Sequence, residues 1–168
     1  TNDTFFTYNF GRPCSVKSIV EDKKGYIYVG TWSTGLIRLH PNRKDFDRYP
    51  PLNQYNSAYS LFLDSRERLW IGTWEYGIVM IENPNDTKNP IIHHYNDTGS
   101  TFKIVNNIIE DPITNTIWAS SRNGISIYDS TVDQFVNYPK YKLCSDITTD
   151  RRGHIFVGTV ENGIIKFN

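Results

Sequence analysis

The chain has 168 residues, 38% of them apolar, and its 18 Lys plus Arg balance 18 Asp plus Glu to a formal charge of zero. No basic run exceeds two residues, which argues against a nucleic-acid footprint or a membrane-surface patch. No stretch approaches the ~20 apolar residues of a membrane-spanning helix, no charged start followed by an apolar run marks a signal peptide, and Cys14, Cys144 and the histidines fall at no metal-ligand spacing, so no metal or cofactor is expected.

Aromatic residues are dense, with 11 Tyr, 9 Phe and 4 Trp against a single Met, a composition that favours strands. In chain order, Thr1-Asn2-Asp3-Thr4 reads as an internal start, and Phe5-Phe6-Thr7-Tyr8 as a lone outer strand within residues 4–10. One phrase then recurs four times, from Ile19-Val20-Glu21-Asp22 to Gly30-Thr31, Leu61 to Asp64 and Gly72-Thr73, Ile108 to Asp111 and Ser120-Ser121, and Ile147 to Asp150 and Gly158-Thr159. The Asp stands eight residues before the Gly in three copies and nine before Ser120 in the other, where Pro112 to Thr116 lengthen the turn. Each Asp accepts backbone N–H groups in its turn, a reading preferred over calcium ligation.

Within each copy an apolar run precedes that glycine: Tyr26-Ile27-Tyr28-Val29, Leu69-Trp70-Ile71, Ile117-Trp118-Ala119 and Ile155-Phe156-Val157. A short loop leads to a second glycine, Gly35, Gly77, Gly124 or Gly163, and a third strand follows, starting at Leu36, Ile78, Ile125 or Ile164. A fourth strand carries paired side chains at i and i+3: Phe46 with Tyr49, Ile92 with Tyr95 and Phe135 with Tyr138. In copy two Arg68 stands where the first-turn glycine is expected.

The fold class is therefore all-β, four repeats of about 42 residues, each a four-stranded blade of a β-propeller. The blades span roughly 14–50, 56–96, 103–139 and 142–168, and residues 4–10 serve as the outer strand of a preceding or last blade. A lone blade cannot bury both faces, so strands two and three pack blade against blade. Two arrangements remain open, a closed four-blade ring sealed by residues 4–10 or an arc of a larger ring, and bare end blades invite self-association or dimerisation.

On such a scaffold the loops between strands two and three share a face with the loops joining blades. They place Trp32, Trp74, Glu75, Tyr76, Arg122, Glu161 and Asn162 together as a candidate ligand site, in which aromatic faces stack on a sugar ring and polar groups fix its orientation. The competing reading has both tryptophans wedged between blades as core. In the first strands Lys17, Tyr59, Asn106 and Ser145 form one column and Ser18, Ser60, Asn107 and Asp146 the next, one of which faces the channel as solvated lining. His40, His93, His94 and His154 scatter around the blades and give no convergent acid–base pair, so no catalytic residue is assigned. Cys144 takes a core column shared with Val16, Ala58 and Val105. The Asn-x-Thr triplets at Asn2, Asn85 and Asn96 mark turns.

The recurring Ile-x-Glu-Asp, Gly, aromatic, Val or Ile, Gly-Thr, Gly-Leu or Gly-Ile, and later Phe-x-x-Tyr phrase, from Ile19 to Tyr49, Leu61 to Tyr95, Ile108 to Tyr138 and Ile147 to Phe167, resembles the two-component-regulator propeller repeat. That resemblance implies the periplasmic sensor region of a Bacteroides-type hybrid two-component histidine kinase, which senses glycans and signals through a phosphorelay for carbohydrate utilisation. It implies an oligosaccharide ligand, and membrane and kinase parts elsewhere in a parent chain. A propeller scaffold for protein–protein interaction is the alternative, and a propeller lyase or hydrolase the third.

Overall fold

The structure, a computed structural model, describes residues 5–11, 13–49, 52, 57–96 and 104–167. Strands β1 (Val16–Glu21), β2 (Ile27–Thr31), β3 (Leu36–Leu39) and β4 (Phe46–Arg48) form the first blade. The second holds β5 (Ser60–Leu63), β6 (Leu69–Gly72), β7 (Ile78–Ile81) and β8 (Ile92–Tyr95). The third holds β9 (Val105–Glu110), β10 (Ile117–Ser121), β11 (Gly124–Asp129) and β12 (Gln134–Tyr138), and the fourth β13 (Cys144–Thr149), β14 (Ile155–Thr159) and β15 (Gly163–Phe167). Every sheet is an antiparallel meander in which each strand pairs with the next in sequence. Residues 5–10 pair with no strand. Phe10 instead sits edge-on to Phe46 at 5.2 Å, and its carbonyl accepts from the Arg48 guanidinium. The expected limits Thr4, Pro50, Asn56, Lys103 and Asn168 lie outside the described residues, as do Asn2 and the rest of the triplet that begins at Asn96.

The blades pack face to face in order, and each joint buries its own core. Tyr28, Leu36 and Tyr49 of blade 1 meet Leu61, Leu69, Ile71 and Val79 of blade 2. Trp70, Ile78 and Met80 then meet Val105, Ile108 and Ile117, and Ile125 meets Cys144, Ile147, Ile155 and Val157. Among the described residues no core joins blade 4 to blade 1, so the sheets form an open arc and not a closed four-blade ring. The Val16 column shows the consequence: Ala58, Val105 and Cys144 are buried under the preceding blade, whereas Val16 at the free end is exposed. Ile164, equivalent by strand register to the buried Ile78, is 76% exposed at the other end. Cys14 and Cys144 are both free thiols.

The aspartate turns fold as their sequence demands. Asp22 Oδ1 accepts from the Lys24 and Tyr26 amides, Asp64 Oδ1 from Arg66 and Arg68, and Asp150 Oδ1 from Arg152 and His154. The residue at the third place after Asp turns left-handed. It is Gly25 at φ 83°, Gly153 at φ 80° and, in copy two, Glu67 at φ 62°, whose amide donates to the Asp64 carbonyl at 2.9 Å. Glu67, and not Arg68, therefore replaces the first-turn glycine. Arg68 takes the place of Tyr26 and His154, where its amide closes on the carboxylate. The longer turn of copy three changes the far carboxylate oxygen. Asp64 Oδ2 accepts from the Trp70 indole at 2.9 Å, but Asp111 Oδ2 is taken by the Thr114 hydroxyl, and the Trp118 indole N–H is buried without a partner.

Candidate functional site

The loops between second and third strands share one construction. A hydroxyl closing the second strand donates to the carbonyl of the second glycine: Thr31 to Gly35 and Thr73 to Gly77 at 2.8 Å, Ser121 to Gly124 and Thr159 to Gly163 at 3.1 Å. The same oxygen accepts an amide inside the loop, from Thr34, Tyr76, Asn123 or Asn162. This is why Gly-Thr recurs and why Ser-Ser replaces it without loss of the loop: only the hydroxyl is needed. The left-handed second glycine is equally constrained, since a Cβ on Gly77, at φ 75°, would stand 2.3 Å from the Tyr95 carbonyl.

The first three loops are also fastened to the next blade. The Thr31 carbonyl accepts from Ala58 N, Thr73 from Val105 N and Arg122 from Leu143 N. The loops between strands and the loops between blades therefore share one face, and on it the first-strand residues come together with Trp32 and Trp74.

Trp32 and Trp74 lie in edge contact, centroids 4.3 Å apart, and Tyr59 of the chain entering blade 2 touches both, at 5.9 and 5.7 Å. Trp32 is 37% exposed and Trp74 half-buried, so this cluster is a surface feature spanning the joint of blades 1 and 2. The tryptophans that wedge between blades are Trp70, fully buried, and Trp118. Lys17 Nζ sits 5.4 Å from the Trp32 ring centroid and 5.7 Å from that of Tyr59.

From Tyr59 and Trp74 a cleft of about 300 Å³ continues across blades 3 and 4, walled by Asn106, Arg122, Ser145 and Val160, with Ile104, Leu143 and Cys144 beneath. Of the seven residues predicted from sequence, Trp32 and Trp74 meet, and Arg122 lines the cleft with Trp74. Glu75, Tyr76, Glu161 and Asn162 stand exposed on the flanking loops and do not line it. Sequence reasoning missed that Lys17, Tyr59 and Asn106 belong with the tryptophans, although their shared register with Ser145 was readable as a column. The next column is occupied otherwise: Ser18 Oγ accepts from the Leu61 amide, and Asn107 Nδ2 donates to Asp146 Oδ1 at 2.7 Å, stitching blade to blade.

Chemically the cleft offers aromatic faces, the Arg122 cation with Lys17 beside its aromatic end, the Asn106 amide, whose N–H donates to the Cys144 carbonyl, and the Ser145 hydroxyl, which donates to Gly158 O. Cys144 is fully buried, its thiol aimed at the Tyr141 carbonyl at 3.0 Å and pushed up in pKa by burial, so it is no nucleophile. Three of the four histidines pair with carboxylates outside the cleft: His40 with Asp47, His93 with Glu82, His154 with Asp150.

Successive four-stranded meanders packed face to face, with an aromatic cleft on the loop side, define a β-propeller segment. Two stretches, residues 11–33 and 53–75, match the family model of the two component regulator propeller. No curated protein sequence matches the chain. The fold matches the extracellular domain assigned to the hybrid two component system BT3049 of B. thetaiotaomicron at TM-score 0.71 and 22% identity, over 91% of this chain and 21% of that one. It also matches PorZ, a surface component of the type-IX secretion system of Porphyromonas gingivalis, at TM-score 0.69, 14% identity, and 91% and 26% coverage. A catalytically inactive variant of Staphylococcus aureus virginiamycin B lyase with quinupristin follows at TM-score 0.67, 17% identity, and 95% and 57% coverage. The chain thus spans a fifth to a quarter of the length of the first two structures, and identities this low establish the common fold alone.

Proposed function

We propose that this chain is a ligand-sensing segment of the extracytoplasmic, periplasmic propeller region of a hybrid two-component sensor histidine kinase, binding an oligosaccharide and signalling for carbohydrate utilisation. The repeat family and the fold shared with a two-component extracellular domain support the setting. The observation that carries the ligand reading is the solvent-facing Trp32, Tyr59, Trp74 cluster opening into a cleft that crosses blade joints. The rings meet edge-on or tilted, so the flat apolar surface a pyranose needs is the exposed face of a single ring, Trp32, and polar groups at the rim fix the sugar's orientation. A ligand reaching from Trp32 to Arg122 touches three blades, so its binding energy acts on their relative placement, the coupling a sensor requires. Dimerisation of the parent and transfer to its kinase complete the reading.

The segment itself binds without converting its ligand. A protein-binding scaffold is the second reading, favoured by the exposure of Trp32 and Tyr76 on one face. The test is tryptophan fluorescence and thermal unfolding with an oligosaccharide panel, followed by chromatography of the sugar. The reading expects a fluorescence change, thermal protection lost in Trp74→Ala, and a sugar recovered intact. A panel without effect refutes it, and a consumed sugar makes the chain an enzyme.

A further inference from the structure

We infer that the saccharide this cleft accepts is anionic, carrying a carboxylate or a sulfate ester, an inference that rests on the ligand-binding reading above. The cleft and its aromatic wall hold two cationic side chains, Lys17 at the Trp32 end and Arg122 at the far side. Among the described residues neither has a carboxylate within ion-pair distance, as holds for most of the chain's lysines and arginines; what sets these two apart is their place on the aromatic cluster and the cleft. Among the described residues no acidic side chain lines the cleft; Glu75 and Glu161 stand outside its wall on the exposed loops.

The positive character is local, because the whole chain is neutral and lends no long-range attraction for anions. It is also placed for recognition. The Lys17 ammonium lies over the Trp32 and Tyr59 rings, so a sugar stacked beside them brings a ring substituent to it. Arg122 offers the planar donor fork that matches a carboxylate in two parallel hydrogen bonds. A neutral sugar leaves both exposed donors to water; an acidic one uses them, and charge-assisted bonds are the stronger kind.

The experiment compares three probes of one length against this chain by fluorescence titration: tetragalacturonate, its carboxyl-reduced counterpart, and the sulfated form of that neutral tetrasaccharide. The expected result is binding about tenfold tighter for at least one anionic probe than for the neutral one. That advantage shrinks as salt rises. The double variant Lys17→Gln, Arg122→Gln should bring all probes to the neutral affinity, while Glu75→Gln leaves the preference in place. The tighter of the two anionic probes identifies the acid group. Equal binding of neutral and anionic probes overturns the anionic assignment and leaves the saccharide reading standing; no binding by any probe overturns both.

Discussion

Replacing Gly72 by alanine and, separately, Gly158 by alanine tests whether the fourth blade is a free end. Both glycines close the second strand of their blades, in the same register and with ordinary backbone dihedrals, so φ strain does not enter. What differs is the neighbour. A Cβ on Gly72 would stand 2.2 Å from Ser60 Oγ, 2.7 Å from Val105 Cγ1 and 2.9 Å from Val105 Cβ. The serine can rotate, but Val105 is fully buried and its Cβ moves only with its backbone. It must retreat by roughly 0.6–1 Å to reach carbon–carbon contact distance, and overpacking of that kind costs about 1–3 kcal/mol. Restricting the unfolded chain returns roughly 0.4–1 kcal/mol. On Gly158 the nearest atom is Ser145 Oγ at 3.3 Å, with nothing else closer than 4.0 Å, so only the favourable part remains.

Thermal and urea unfolding followed by tryptophan fluorescence should place Gly72→Ala about 2–8 °C below the parent, with Gly158→Ala level with it or above. A neutral Gly72→Ala refutes the close approach of blade 3 to blade 2. A Gly158→Ala as damaging as Gly72→Ala means that another surface packs on blade 4, and light scattering then separates a second copy of the chain from closure on blade 1.

Three further perturbations probe the loops and turns. Thr73→Val removes the hydroxyl that holds the Trp74 loop and should cost about 1–3 kcal/mol while weakening saccharide binding, and Thr73→Ser restores both. Trp70→Phe strips a buried bond to Asp64 and should cost about 1–3 kcal/mol, whereas Trp118→Phe, which removes a buried N–H already without a partner, should be neutral or stabilising in urea titrations. The His154 ring bonded to Asp150 brings that carboxyl down from its ordinary 3.8 to about 2. Because the folded value is depressed, the stability it contributes is present above pH ~4 and lost as pH falls through about 2. Carbon-13 titration of Asp150 should show the low midpoint, and His154→Gln should move it back towards ordinary carboxylate values.

The repeat was legible because each of its fixed residues answers a local backbone need. Asp22, Asp64 and Asp150 each cap a turn, the Thr31 and Thr73 hydroxyls close a loop, and Gly77 avoids the Tyr95 carbonyl. Such needs recur with the repeat and can be read from one chain. Arg68 was misplaced because the left-handed position does not demand glycine, and Glu67 bears it at φ 62°. The placement of the candidate residues was half legible. Trp32 and Trp74 come together as expected, because loops at equivalent places in two adjoining copies lie side by side on one face. Lys17, Tyr59 and Asn106 escaped because strand periodicity gives the face of a side chain but not which loop residue leans over it. Glu75, Tyr76, Glu161 and Asn162 stand exposed outside the cleft although Trp74 and Val160 of the same loops line it, since loop membership does not fix the direction of a side chain.

The three joints are not equivalent, and the inequality bears on sensing. In joint 2|3 the second strand ends in Gly72 and the following blade presses directly on it, with Trp70 bonded to Asp64 inside the core. In joint 3|4 the same place holds Ser120, whose buried hydroxyl has no partner, and the Trp118 indole is also unpaired. Two unsatisfied buried groups, at about 1–3 kcal/mol each, weaken a joint that in a stack of repeats is held by its nearest neighbour alone. Blade 4, with no blade beyond it among the described residues, should therefore open first. Native-state hydrogen exchange is expected to show the β13–β15 amides opening at lower free energy than those of β6 and β7. The cleft crosses this weak joint between Arg122 and Val160. A bound saccharide should slow exchange in β13–β15 more than in β6 and β7, and equal protection of both would refute a role for this joint in the response.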